Sequence, residues 1–202
     1  MNRHLIASVA AGIVAAGSLV LFSACASSPT AGATVASMDT FGVEMVKVKD
    51  AIDHTLKSLD AVIATQPGDI RTNFDAYAKS VSALDQQANV VRDRAEEMRT
   101  MGDEFFKEWE APESMSPERR TQLTSAYAKI KEDTTLAKDE FNPFLKSLKD
   151  VEAYLKLDLS PHGITSMSDT AKKAKDDGAK VKASIDAALV QVNSVRGMVP
   201  AK

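Results

Sequence analysis

The chain has 202 residues, 26% of them charged and 44% hydrophobic but only 5% aromatic, enough for one ordinary domain. Nine Gly and seven Pro are too few for a collagenous or disordered chain, and a single Cys excludes an internal disulfide framework or a zinc site built on several thiolates. With 25 Lys and Arg against 28 Asp and Glu, the formal charge of −3 supplies no field for recruiting nucleic acid.

The first 24 residues read as a targeting segment. Met1-Asn2-Arg3-His4 is a short basic start, and Leu5 to Phe22 then runs uncharged through Ile6, Val9, Ile13, Val14, Leu19, Val20 and Leu21. It ends at Leu21-Phe22-Ser23-Ala24-Cys25. Small residues directly before a Cys resemble the bacterial lipobox, and that resemblance implies cleavage before Cys25 and lipidation of Cys25 as the first mature residue. An uncleaved membrane anchor and a plain secretory peptide are the alternatives, since about 18 apolar residues just span a bilayer. The position of the only Cys, where lipidation requires one, favours the lipoprotein. Removal of this segment takes away Arg3 and no acid, which leaves 24 basic against 28 acidic groups and a mildly acidic body. Attachment to a membrane is then expected from the lipid on Cys25 and not from surface charge.

Residues 25–37 read as the lipidated Cys and a flexible tether, because Ala26 to Ser37 are small and polar with no apolar stripe. The bundle domain is expected at 38–198. From Met38 onward apolar residues recur in alternating steps of three and four, four times over. The first run is Met38, Phe41, Met45, Val48, Ile52, Leu59 and Val62, predicting a helix at about 38–64. The second, 69–110, passes through Ile70, Phe74, Tyr77, Val81, Leu84 and Ala88 to Phe105 and Trp109. The third, 117–157, passes through Leu123, Tyr127, Ile130, Phe141, Phe144 and Leu148 to Leu155. The fourth, 161–197, runs from Ile164 through Ala171, Gly178, Val181 and Ile185 to Val195. A sustained step near 3.5 keeps one seam facing a partner helix along its length.

Between the runs stand Gln66-Pro67-Gly68-Asp69, Ala111 to Pro117, and Ser160-Pro161. Ser116 and Ser160 are placed to cap helices, with Pro at the following position, where a missing N–H is harmless. Short connections imply antiparallel neighbours. The expected architecture is an all-α, elongated up-down bundle of four helices with coiled-coil-like packing. Small seam residues such as Ala88, Ala95, Thr134, Ala137, Ala174 and Gly178 imply close approach of helix axes. Folding the third helix back on the second sets Gly102 opposite Leu123 to Tyr127, so Gly102 is either a packing residue or a hinge. Pro143, inside an unbroken run, predicts a kink near Asp139 to Phe144 with the seam surviving.

The parts for catalysis are sparse. His54 and His162 fall on outward or helix-end positions, and neither has the Glu three residues earlier that di-iron bundles use. No HExxH, EF-hand, phosphate-binding Lys loop or GxSxG pattern occurs. No catalytic, metal or cofactor residue is therefore assigned, and no enzyme activity is expected. The acids Asp103, Glu104, Glu108, Glu110 and Glu113 read as a solvated helix end, and Lys172, Lys173, Lys175, Lys180 and Lys182, interleaved with acids, as a charge-laced outer face. Phe105, Phe106, Trp109, Phe141 and Phe144 concentrate the aromatic mass and form a packing or interaction cluster.

Phe105-Phe106-Lys107-Glu108-Trp109-Glu110, Asn142-Pro143-Phe144-Leu145 with Leu148 and Asp150, and Tyr154-Leu155-Lys156 with Leu159, Ile164 and Met167 together resemble the bacterial envelope family of unknown function DUF2959. The resemblance implies a signal-bearing, coiled-coil-rich, often lipidated protein and supplies no catalytic residues. The function expected is a lipid-anchored, periplasm-facing scaffold, spacer or interaction module, working with other envelope proteins. Its place is the outer membrane if the cell is Gram-negative. The alternative is a carrier or sensor holding a small apolar ligand between helices, near Phe141, Phe144, Leu145, Leu148 and Leu155.

Overall fold

The computed structural model describes residues 30–64, 69–108 and 115–199, and within them the chain is helical throughout apart from short connections. The elements are α1 (Ala31–Ile63), α2 (Ile70–Glu108), α3 (Pro117–Leu157), α4 (Pro161–Ser166) and α5 (Ser168–Met198). Each long helix buries the seam that its sequence spacing defines. Met38, Phe41 and Ile52 of α1, Tyr77 and Leu84 of α2, Ile130 and Phe144 of α3, and Val181 and Val195 of α5 all join one core. Burying a side chain of this size stabilises by about 1.5–3 kcal/mol relative to exposure. α3, at 41 residues, gives the bundle a length of roughly 60 Å.

α1 packs closely on α2, and α3 closely on α5; the contacts of α1 with α5 and of α2 with α3 are slighter. Close approach suits α5, whose inner face carries Ala171, Ala174, Gly178 and Ala188, all buried. At Gly178 a side chain would come within 3.0 Å of Leu56 and 3.1 Å of Phe144. The α1–α2 pair is tied by Thr55, whose Oγ1 donates to the Ser80 carbonyl at 3.2 Å, and by Gln87 donating to Glu44 at 2.7 Å. α1 and α5 are joined by a ladder of four ion pairs: Asp39–Arg196, Lys49–Asp186, Asp53–Lys182 and Asp60–Lys175. Steps of ten, four and seven residues up α1 meet equal steps down α5, the signature of two antiparallel helices with a common pitch.

Two boundaries depart from the sequence reading. The first helix begins at Ala31, so residues 31–37 of the expected tether are helical. Thr30 caps them, its hydroxyl accepting from the Ala33 N–H at 3.2 Å, and Thr34 and Ser37 are buried on the seam. Alanines at 31, 33 and 36 favour helix strongly, and short hydroxyl side chains at the buried places conceal the seam from a hydropathy pattern. The fourth helix is interrupted at Met167, which separates α4 from α5. The turn into α4 is tight: a side chain at Gly163 would meet the Asp158 carbonyl at 2.2 Å. Ser116 and Ser160 do cap α3 and α4, accepting from the N–H groups of Arg119 and Gly163.

α3 continues across Pro143, and the buried series Phe141, Phe144, Leu145, Leu148 passes it without a break. The ring removes the helical partner of the Asp139 carbonyl. Asp139 and Pro143 both lie on the exposed side, the side on which the loss of a helical hydrogen bond costs least. Among the described residues, no helix is long and apolar enough to cross a membrane.

Candidate functional site

Two tyrosines fasten α2 to α3. Near one end of the bundle the buried Tyr77 hydroxyl donates to the Leu148 carbonyl at 2.8 Å, and Lys149 pairs with Asp85 at 2.7 Å. Toward the other end the Tyr127 hydroxyl donates to the Arg99 carbonyl at 3.0 Å and to Asp103 at 3.1 Å, with Lys131 on the same carboxylate at 2.8 Å. Each clamp thus combines a buried O–H, aimed at a main-chain or side-chain oxygen, with a Lys–Asp pair at the surface. Burial, and for Tyr77 the nearby Glu152 charge, hold the Tyr77 phenol well above its ordinary value. Burial and then Asp103 do the same for Tyr127. At Asp103 desolvation is the largest single influence, but the hydrogen bonds from Lys131 and Tyr127 and the charges of Lys131 and Arg99 together outweigh it and hold the carboxyl below its usual value.

Between the clamps α2 and α3 do not close, and a cavity of about 320 Å³ opens into the core. Its inner wall is Phe41, Met45 and Val48 of α1 with Val181 and Ile185 of α5. Ala88, Val91 and Ala95 of α2 and Thr134, Ala137 and Phe141 of α3 form the sides. The mouth carries Arg92, Glu96, Arg99, Thr135 and Lys138. The small residues expected to bring helices together do so along α5. On the facing stretches of α2 and α3 they leave space instead, because the clamps and the closer α1–α2 and α3–α5 pairs set the separation there. A volume of this size is at the lower end of the range for sites that enclose small molecules.

The structure distributes the sequence-derived cluster over two places. Phe105 is buried and Phe106 half-buried; Phe105 meets Phe106 edge-on at 5.1 Å, and Phe106 stacks on Tyr127 at 4.6 Å. Phe141 and Phe144 meet edge-on at 5.9 Å, one further along α3 in the cavity wall and the other fully buried. Trp109 lies outside the described residues, as do Cys25 and the rest of the targeting segment. The cavity lies to one side of the apolar band expected to hold a ligand: Phe141 belongs to both, whereas Phe144, Leu145, Leu148 and Leu155 pack in the core. No periodicity argument could have found Arg92, Arg99 and Lys138, since a charged residue beside a seam reads as ordinary surface.

The remaining candidates are accounted for by exposure or pairing. His54 and His162 are both exposed. Lys172, Lys173, Lys175, Lys180 and Lys182 are all in ion pairs, two of them in the ladder to α1. Among the described residues no group of three or more His, Cys, Asp or Glu is placed to hold a metal ion. Gly102 is a packing residue: a Cβ there would fall 2.3 Å from the Tyr127 hydroxyl and 2.5 Å from its ring.

The sequence of the chain matches the model of one protein family, described as a protein of unknown function (DUF2959), over residues 44–196. That span runs from within α1 nearly to the end of α5 and includes the whole cavity wall from Met45 onward. No curated protein and no solved structure matches the chain.

Proposed function

We propose that this chain, which belongs to the DUF2959 family of proteins of unknown function, is a lipid-anchored binding module of the cell envelope that carries or senses a small ligand between its helices. The cavity bounded by all four long helices supports this reading over that of a plain spacer, for which a filled core would serve equally well. The module is non-catalytic in this reading, and its anchor is the lipid on Cys25, in the outer membrane facing the periplasm if the cell is Gram-negative. Two acyl chains make such attachment stable, each buried methylene adding about 0.8 kcal/mol.

Membranes holding the intact protein, illuminated with a decanol analogue that carries a terminal diazirine, test the ligand reading. Cross-links are expected on Met45, Val48 or Ile185, and an Ala88→Leu/Ala95→Leu variant, which fills the space, should lose them. Labelling confined to the outer surface, or unchanged in the filled variant, would leave the scaffold or spacer role in its place. The anchor has its own test: mass spectrometry of the protein from the membrane pellet should show an acylated Cys25 as the first residue, and a chain with Cys25 unmodified, or with residues 1–24 still attached, removes the lipid anchor.

A further inference from the structure

The charge at the cavity mouth narrows the ligand. Arg92 and Arg99 of α2 and Lys138 of α3 stand there against one acid, Glu96. None of these three cations makes an ion pair among the described residues; Arg92 donates to the neutral side chain of Asn89. The surrounding surface behaves differently. Lys129, Lys131, Lys146, Lys149 and Lys156 of α3 all pair with acids, so Lys138 is the one lysine of that helix without a carboxylate among the described residues. Arg92 and Arg99 are both half-buried, so their stems lie against apolar surface while the guanidinium groups reach the rim.

Asp103, one helical turn on from Arg99, faces it but is already paired with Lys131, so an apolar chamber with an excess of cations at its opening is complementary to a molecule that is apolar along its body and negative at one end. We infer that the cavity takes a single-chain amphiphile with a carboxylate head, the chain lying against Phe41, Met45, Val48 and Ile185 and the head meeting the guanidinium groups and Lys138. At about 30 Å³ for a group the size of a water molecule, the volume of about 320 Å³ matches one chain of roughly ten carbons. The carboxylate keeps solvent on one side, so it enters without the desolvation that a fully buried anion suffers. Guanidinium forks match its two oxygens. This assignment rests on the ligand reading given above and adds the nature of the head.

Competition on the same membranes separates the two. Decanoate and decanol are each used to displace the diazirine-bearing decanol, and the ratio of their midpoints is compared between the wild type and an Arg92→Gln/Arg99→Gln/Lys138→Gln variant, which cancels partition into the bilayer. The ratio should favour decanoate by about tenfold more in the wild type than in the variant, the size expected of a hydrogen bond to a charged group. Arg94→Gln, at an exposed position paired with Glu97, should leave the ratio unchanged. Melting curves by circular dichroism establish that each variant is folded. Cross-links within the cavity with an equal ratio in wild type and triple variant would overturn the carboxylate head while leaving the ligand reading standing. Absence of cross-links from the cavity walls with the neutral probe, and with a diazirine-bearing decanoate, would overturn both.

Discussion

Gly102 shows how one position can be read from spacing and then decided by contact. Its place on the seam of α2 left a hinge and a packing role equally open, and the ring of Tyr127, lying where a Cβ would be, decides for packing. Gly102→Ala gains about 1 kcal/mol of helix propensity but must displace a ring whose hydroxyl is held by Arg99 and Asp103. Overpacking of this kind costs about 1–3 kcal/mol. Urea denaturation should therefore show a net loss of about 1 kcal/mol. In a Tyr127→Ala background the same substitution should become stabilising, because the obstacle is gone; a loss of equal size in both backgrounds would deny the contact. Gly163 is the stricter case, since its obstacle is the Asp158 backbone carbonyl and cannot rotate away.

At the scale of elements, the seams named the inward faces well: the buried positions of α3 and α5 are nearly those the three-and-four spacing marks. Spacing reports which side of a helix faces a partner and is silent on how far off the partner lies. Hence Ala88, Ala95 and Ala137 were legible as inward-facing, but the cavity they border was not. The distance between α2 and α3 follows from the two tyrosine clamps, and a tyrosine on a seam looks like any other core aromatic until its hydroxyl is seen to reach across. The start of α1 escaped for a related reason, its inner face being built from Thr34 and Ser37.

The clamps also carry a pH dependence whose sign is fixed. Both phenols are held above the ordinary value of 10.0, so their neutral forms stabilise the fold at lower pH, and that contribution is lost as pH rises above 10.0 toward the raised values. Melting temperatures recorded by circular dichroism should be level from neutral pH to about 10 and then decline. A Tyr77→Phe/Tyr127→Phe variant should start lower, by about 1 kcal/mol for each hydrogen bond removed, and should decline less steeply. An equally steep decline in the variant would assign the alkaline loss to other groups.

For the molecule as a whole, the end where α1 begins also holds the end of α5, with Arg119 at the start of α3 donating to the Met198 carbonyl at 3.3 Å. Under the proposed anchoring this is the membrane-proximal end, and Phe41 stands roughly 15 Å along α1 from its first residue. A chamber in a rod needs walls that do not slide past one another, and the four pairs between α1 and α5 bear on that. Three of them set an acid of α1 against a base of α5; Lys49–Asp186 alone has the opposite sense. A slip of one helical turn in one direction would bring Lys49 to Lys182, and a slip in the other would bring Asp53 to Asp186. Were the sense uniform, both slips would recover an attractive pair. Each exposed pair is worth little by itself, yet the single inverted one acts as a key: it makes the neighbouring alignments repulsive and leaves the observed alignment as the one in which every charge finds its opposite.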